Sequence, residues 1–168
     1  MKNLLRAAFC LSLAFVAGCS SYNRKFAAAS RGDVKRVSPY EGAYSGRWSS
    51  SKNSAWGGEL RCILTPLDVP WNGPALQPGE DVYRAEFHAT WHGLSSTHSV
   101  LLHTRPVAQK KAGFARSFEG TSKLHTIIGA GTYRCEGKLD SKTMSACYDA
   151  TYDKGTFQMT RVSVQAPR

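Results

Sequence analysis

Residues 83–91 alternate without a break. Tyr83, Ala85, Phe87, Ala89 and Trp91 fall on one side of an extended chain, and Arg84, Glu86, His88 and Thr90 on the other. Successive side chains of a strand point to opposite faces, so this pattern predicts a strand with one buried face. The same rhythm recurs along the chain. Tyr44, Gly46 and Trp48 mark a first strand, and Leu60, Cys62 and Leu64 a second, with Glu59, Arg61 and Ile63 opposite. Residues 83–91 are the third and Ser99–Thr104 the fourth. Phe114, Arg116 and Phe118 give a fifth, and Tyr133, Cys135, Gly137 and Leu139 a sixth. Met144, Ala146, Tyr148, Ala150 and Tyr152 give a seventh, and Thr156–Val164 the eighth. Helical periodicity is nearly absent.

The connections bear on topology. Asp140-Ser141-Lys142 and Asp153-Lys154-Gly155 are short and rich in turn formers, which makes their flanking strands antiparallel. Eight such strands form an all-β antiparallel meander. Closing it into a small barrel removes both edges; a β-sandwich is the alternative. Thr65–Glu80 holds Pro66, Pro70, Pro74 and Pro78 around Trp71 and cannot pair as a strand. Ser122–Ala130, with Leu124, Ile127 and Ile128, is expected as a second long connection. Either segment would plug the core or cover one end.

An interior of this size is filled by side chains or holds one small ligand. The residues that would line it are Trp48, Tyr83, Phe87, Trp91, Phe114, Phe118, Tyr133 and Tyr148. From Tyr40 to the end, about 130 residues suffice for one domain and are too few for two.

The first residues read as a targeting segment. Lys2 and Arg6 precede an apolar run that ends in Val16-Ala17-Gly18-Cys19. The run is shorter than the roughly 20 residues of a spanning helix. Small residues before a cysteine resemble the lipobox of bacterial lipoproteins, with Val16 where leucine is commoner. The resemblance implies cleavage after residue 18, lipidation of Cys19 and a membrane anchor through acyl chains such as palmitate. Under the sorting rule of that family, Ser20 implies the outer membrane, facing the periplasm.

Residues 19–39 are expected to be the lipidated cysteine and a basic flexible tether. Arg24, Lys25, Arg31, Lys35 and Arg36 stand against one acid, Asp33. Phe26-Ala27-Ala28-Ala29 would give at most one helical turn. Removing residues 1–18 takes two of the 22 basic residues and none of the 12 acidic ones. The positive balance favours anionic partners such as headgroups or glycans, while the address argues against nucleic acid.

Within residues 40–168, Gly46-Arg47-Trp48 on the first strand and Arg161 on the last resemble the calycin superfamily of lipocalins, avidins and fatty-acid-binding proteins. That resemblance implies that Arg161 stacks on the Trp48 indole and closes the barrel base. The match stops there: no second lipocalin motif is present and no clear helix stands ready to pack outside the barrel. Gly42-Ala43-Tyr44-Ser45-Gly46 and Gly131-Thr132-Tyr133-Arg134-Cys135-Glu136-Gly137 also resemble uncharacterised bacterial envelope lipoproteins with repeated Gly-x-Tyr-x-Gly.

Chemistry-bearing patterns are sparse. His88 and His92 share a strand face but lie about 13 Å apart, too far for one metal. His92 and His98 would meet only across a hairpin. These histidines are expected as exposed polar residues, and neither metal nor cofactor is expected. No Gly-x-Ser-x-Gly or phosphate-cradling loop occurs, so an enzyme is not expected. In the sixth–seventh hairpin, one register sets Cys135 against Cys147, and a shift by one sets it against Ala146 and keeps the apolar face. Cys62 and Cys135 share the apolar face, which favours a disulfide between them and leaves Cys147 as a thiol; a bulge would reverse that choice. Two functional expectations remain. The barrel binds a small apolar ligand or an envelope partner, or its core is filled and it acts through surface loops as a periplasmic inhibitor or accessory protein on a protein or glycan.

Overall fold

The computed structural model describes residues 21–31, 36–107, 116–126 and 129–162, with backbone alone at 124–126, 129 and 130. Cys19, Ser20, Phe114, Ile127 and Ile128 lie outside the described residues. Eight strands follow in chain order: β1 (Gly42–Ser50), β2 (Gly57–Pro66), β3 (Asp81–Trp91), β4 (Leu94–Pro106), β5 (Arg116–Thr126), β6 (Gly129–Leu139), β7 (Thr143–Ala150) and β8 (Lys154–Arg161). Each pairs antiparallel with the next, and β8 pairs back with β1, so the sheet is a closed barrel. The sandwich alternative is thereby set aside.

The apolar face of every strand turns inward. Tyr44, Leu64, Phe87, Leu102, Leu139, Met144 and Met159 are each less than 2% exposed, and the core cluster draws on all eight strands. Large residues sit beside inward glycines on the neighbouring strand: Trp48 opposes Gly58, and Tyr148 opposes Gly155. A Cβ on Gly155 would lie 1.9 Å from the Ser49 carbonyl oxygen, so only glycine lets these backbones come so close.

The barrel has two unlike ends. At the entry end, where the chain enters β1 and leaves β8, residues 36–41 lie across the opening. Ser38 and Tyr83 share a hydroxyl hydrogen bond of 2.6 Å, and the Tyr44 hydroxyl donates to the Tyr40 carbonyl at 2.7 Å. The Arg161 guanidinium donates to the carbonyls of Pro39 at 2.7 Å, Ser141 at 3.1 Å and Glu41. Arg116 lies over the Tyr40 ring, donates to Thr104 at 2.9 Å and pairs with Asp81. At the opposite, hairpin end, β3 turns into β4 through two residues. His92 and Gly93 take φ of 46° and 79°, the left-handed pair of a two-residue hairpin.

Three sequence expectations need correction. Residues 21–31 are a packed helix rather than a solvated spacer, and this helix does lie outside the barrel. Tyr22, Phe26 and Ser30 recur at helical spacing. Tyr22 is 3% exposed, stacks on His88 with centroids 4.9 Å apart, and donates to the Glu86 carbonyl. Lys25 pairs with Glu86 at 3.1 Å, and Arg61 covers the Phe26 ring and reaches Asn23. Second, Ser122–Thr126 continues β5 instead of capping the barrel. Third, Cys135 opposes Tyr148, not Cys147 or Ala146. The loop is the expected Asp140-Ser141-Lys142, but the Asp140 N–H donates to the Thr143 carbonyl at 3.0 Å and the Asp140 carboxylate accepts the backbone N–H groups of both Lys142 and Thr143 at 2.6 Å, which sets Leu139 against Met144.

Candidate functional site

Of the eight aromatic residues expected inside, the seven described do not form one pocket, and Phe114 lies outside the described residues. Tyr83 and Phe118 belong to the entry end, where Tyr83 meets Tyr40 edge to face. Phe87, Trp48, Trp91, Tyr133 and Tyr148 gather toward the hairpin end. There Trp48 touches Trp91 and Tyr148, with centroids 6.4 and 6.3 Å apart, and Tyr148 stacks on Tyr133 at 6.1 Å. The Tyr148 hydroxyl donates to Asp153, which also accepts from Ser50, both at 2.6 Å. The rings therefore pack on one another.

The expected Trp48–Arg161 closure is not made. In the β1–β8 register Arg161 opposes Tyr44, and Trp48 opposes Phe157. Four residues of strand, about 13 Å, separate the two positions. Arg161 instead ties the incoming segment to the β6–β7 turn, and Trp48 donates its indole N–H to the Thr90 carbonyl at 3.3 Å.

Sequence reasoning missed His98. It points inward from β4, stacked against Phe87 at 5.4 Å and edge-on to Tyr133 at 5.0 Å, and its Nε2 has no hydrogen-bond partner. Burial pulls its pKa down to about 4. Strand parity with Val100 and Leu102 could have found it. His88 and His103 are also covered rather than exposed: His88 lies under Tyr22 and bonds Thr97 at 2.8 Å, and His103 bonds Glu80 at 3.1 Å. His92 sits in the turn, away from His98, which opposes Phe87. Among the described residues no three His, Cys, Asp or Glu side chains group to hold a metal.

Cys62 and Cys135 both face inward as free thiols, so the disulfide favoured from sequence is absent. They stand on β2 and β6, four strands apart in either direction around the barrel. Burial pushes the Cys62 thiol pKa up, and that of Cys135 up to about 12. Cys147 points outward and is exposed. Of the three barrel cysteines, a maleimide reagent near neutral pH is therefore expected to label Cys147 alone in the folded protein, and Cys62 and Cys135 only after unfolding in urea. Mass analysis before and after urea checks this; an unfolded protein still carrying one label would mean that the inner pair is bonded after all.

Two grooves open on the outside. One, about 610 Å³, runs between residues 37–40 and the proline-rich loop, with Trp71 donating to the Pro74 carbonyl at 2.8 Å. The other, about 880 Å³, crosses the outer faces of β6, β7, β8 and β1 under Trp56 of the β1–β2 turn. Its floor is two rows of side chains. Lys138, Ser145, Gln158 and Arg47 oppose one another in turn across four strands, as do Glu136, Cys147, Thr156 and Ser49 beside them. Among the described residues no helix is long and apolar enough to cross a membrane. The chain matches no known family model, and no curated protein matches it.

Proposed function

We propose that this is a lipid-anchored protein of the bacterial envelope, held at the outer membrane through Cys19, whose barrel is a filled scaffold that binds an envelope partner noncovalently through its outer surface. The observation that carries this reading is the interior. Side chains from all eight strands meet on the axis, and residues 36–41 cross the entry end. A carrier of small molecules instead has a pocket of some 300–1,000 Å³ that buries most of its ligand. Here the spaces of that size lie outside the wall, as open grooves.

Native mass spectrometry of the full protein, purified from membranes, tests both halves of the reading. The expected mass is that of residues 19–168 plus the lipid on Cys19, with nothing else retained. An unprocessed, unlipidated mass would remove the anchor. A further small molecule, lost on denaturation, would turn the barrel into a carrier.

A further inference from the structure

We infer that the hairpin end of the barrel rests on the lipid bilayer, with Trp56, Leu94 and Tyr152 set into its boundary, an inference that rests on the lipid anchor proposed above. Each of the three turns described at that end carries one large, exposed apolar residue. Trp56 (49% exposed) ends the β1–β2 turn, Leu94 (57%) follows the His92-Gly93 turn, and Tyr152 (52%) lies in the β7–β8 turn. Such residues scattered singly over a surface need no explanation; one on each of these turns, at the same end, marks a contact face.

The three side chains are presented by bonded turns. The Trp56 N–H donates to the Asn53 carbonyl, and its carbonyl accepts from the Ser50 N–H, both at 2.9 Å. Ala150 and Asp153 exchange backbone hydrogen bonds of 2.7 and 3.2 Å around Tyr152. The Ser51 N–H donates to the Lys154 carbonyl at 2.7 Å and joins these two turns. Leu94 pairs with Trp91 across the third.

The residue types suit a bilayer. Tryptophan and tyrosine combine an apolar ring with a polar N–H or O–H, and both concentrate where acyl chains meet headgroups. A bilayer boundary takes up such projections without a matching shape. Charge does not draw the contact. In these turns and the two strand residues on either side, His92 apart, Lys52 and Lys154 stand against Asp149 and Asp153. The contact therefore needs no anionic lipid.

The position of the anchor selects this end over the other. Cys19 stands three residues before Tyr22, at most about 11 Å of chain. Tyr22 stacks on His88, which is three residues from Trp91 at the end of β3, about 10 Å along the strand. From His88 back to Asp81, at the entry end, β3 runs seven residues, about 23 Å. The chain before Tyr22 can thus reach the level of the hairpin end and falls short of the entry end. Exposed Val37, Val69 and Leu76 belong to the entry end, beyond this reach, and Leu101 to the β4 wall.

The test uses the full lipidated protein, added to preformed phosphatidylcholine vesicles and freed of detergent. Leu94→Cys and Ser141→Cys, each made with Cys147→Ser, place one exposed thiol at the hairpin end or at the entry end. With a membrane-impermeant maleimide, and each rate taken relative to the same variant in urea, the thiol at position 94 should label about tenfold more slowly than that at 141. Vesicles of dibrominated phosphatidylcholine should quench the tryptophan fluorescence of the wild type, and Trp56→Phe should remove most of that quenching. Floating protein in which both thiols label alike, protection that requires anionic lipid, or quenching unchanged in Trp56→Phe overturns this inference and leaves the anchor standing. Protein that does not float with the vesicles overturns the anchor, and this inference with it.

Discussion

Gly58→Ala is expected to destabilise the protein by about 3 kcal/mol, the upper end of what overpacking of a well-filled core costs. A Cβ built on Gly58 would lie 1.7 Å from the Thr90 carbonyl oxygen and 3.2 Å from the Trp48 indole nitrogen. That nitrogen donates to the same carbonyl. A flexible side chain could step aside, but a backbone carbonyl cannot move without disturbing β3 where Thr90 pairs with Ser95 of β4. The methyl group therefore strains the wall and displaces the Trp48 hydrogen bond together. Urea unfolding followed by tryptophan fluorescence measures the effect. A variant with the wild-type midpoint would show that β2 and β3 are not in such close contact there.

The second large effect is a loss of stability in mild acid through His98. The imidazole lies between Phe87 and Tyr133, and among the described residues no acidic side chain pairs with it. Its pKa falls from 6.5 to about 4 on folding, because burial penalises the charged ring. A depressed pKa means that the unfolded chain binds the proton more tightly. The stabilisation is complete above pH 6.5 and is lost as the pH falls toward 4, by about 3 kcal/mol in all. His88 is shifted the same way, by burial and then by Arg61, and adds a smaller loss of the same sign. His98→Phe keeps a flat ring and removes the titration. Urea midpoints at neutral pH and near pH 4.5 should converge in the variant relative to wild type; an unchanged gap would show that His98 does not titrate in the core.

The barrel itself was legible because one physical signal repeats. Strand alternation such as that of residues 83–91 assigns each side chain to a wall, and short turns set neighbours antiparallel. Of the eight aromatic residues expected inside, seven face the interior as parity requires, and Phe114 lies outside the described residues. Register between strands far apart in the chain was not legible. No turn connects β1 to β8, so nothing local showed that Arg161 would meet Tyr44 instead of Trp48. Turn geometry hid other details. The His92-Gly93 turn escaped notice because it lacks the Asn-Gly or Asp-Gly pair that marks most two-residue hairpins. The Cys135 register differs because Asp140 bonds Thr143 across the turn, a closing pair that the turn formers alone did not reveal.

The helix over 21–31 was hidden for a different reason. Its composition is that of a basic spacer, and the spacing of Tyr22, Phe26 and Ser30 is a weak signal alone. What orders it is a surface that exists only once β2 and β3 are paired, with Glu86, His88 and Arg61 side by side. The large groove was hidden likewise. Lys138, Ser145, Gln158 and Arg47 are spread over the chain, and only the closed sheet brings them into one row.

Closure of β1 on β8 also governs when the protein can fold. The Arg161 hydrogen bond to the Glu41 carbonyl spans 120 residues. Contacts of such long range are slow to form, since the loop entropy is lost before the contact is gained. In a chain threaded through a membrane from its N-terminus, β1 has only β2 beside it until β8 has emerged. The chain stays an open, unfinished sheet throughout transit, soft enough to pass a narrow channel and dependent on protection from aggregation until the last strand arrives. Under the export proposed above, slow closure would keep the chain passable, for a barrel that sealed early would block its own passage.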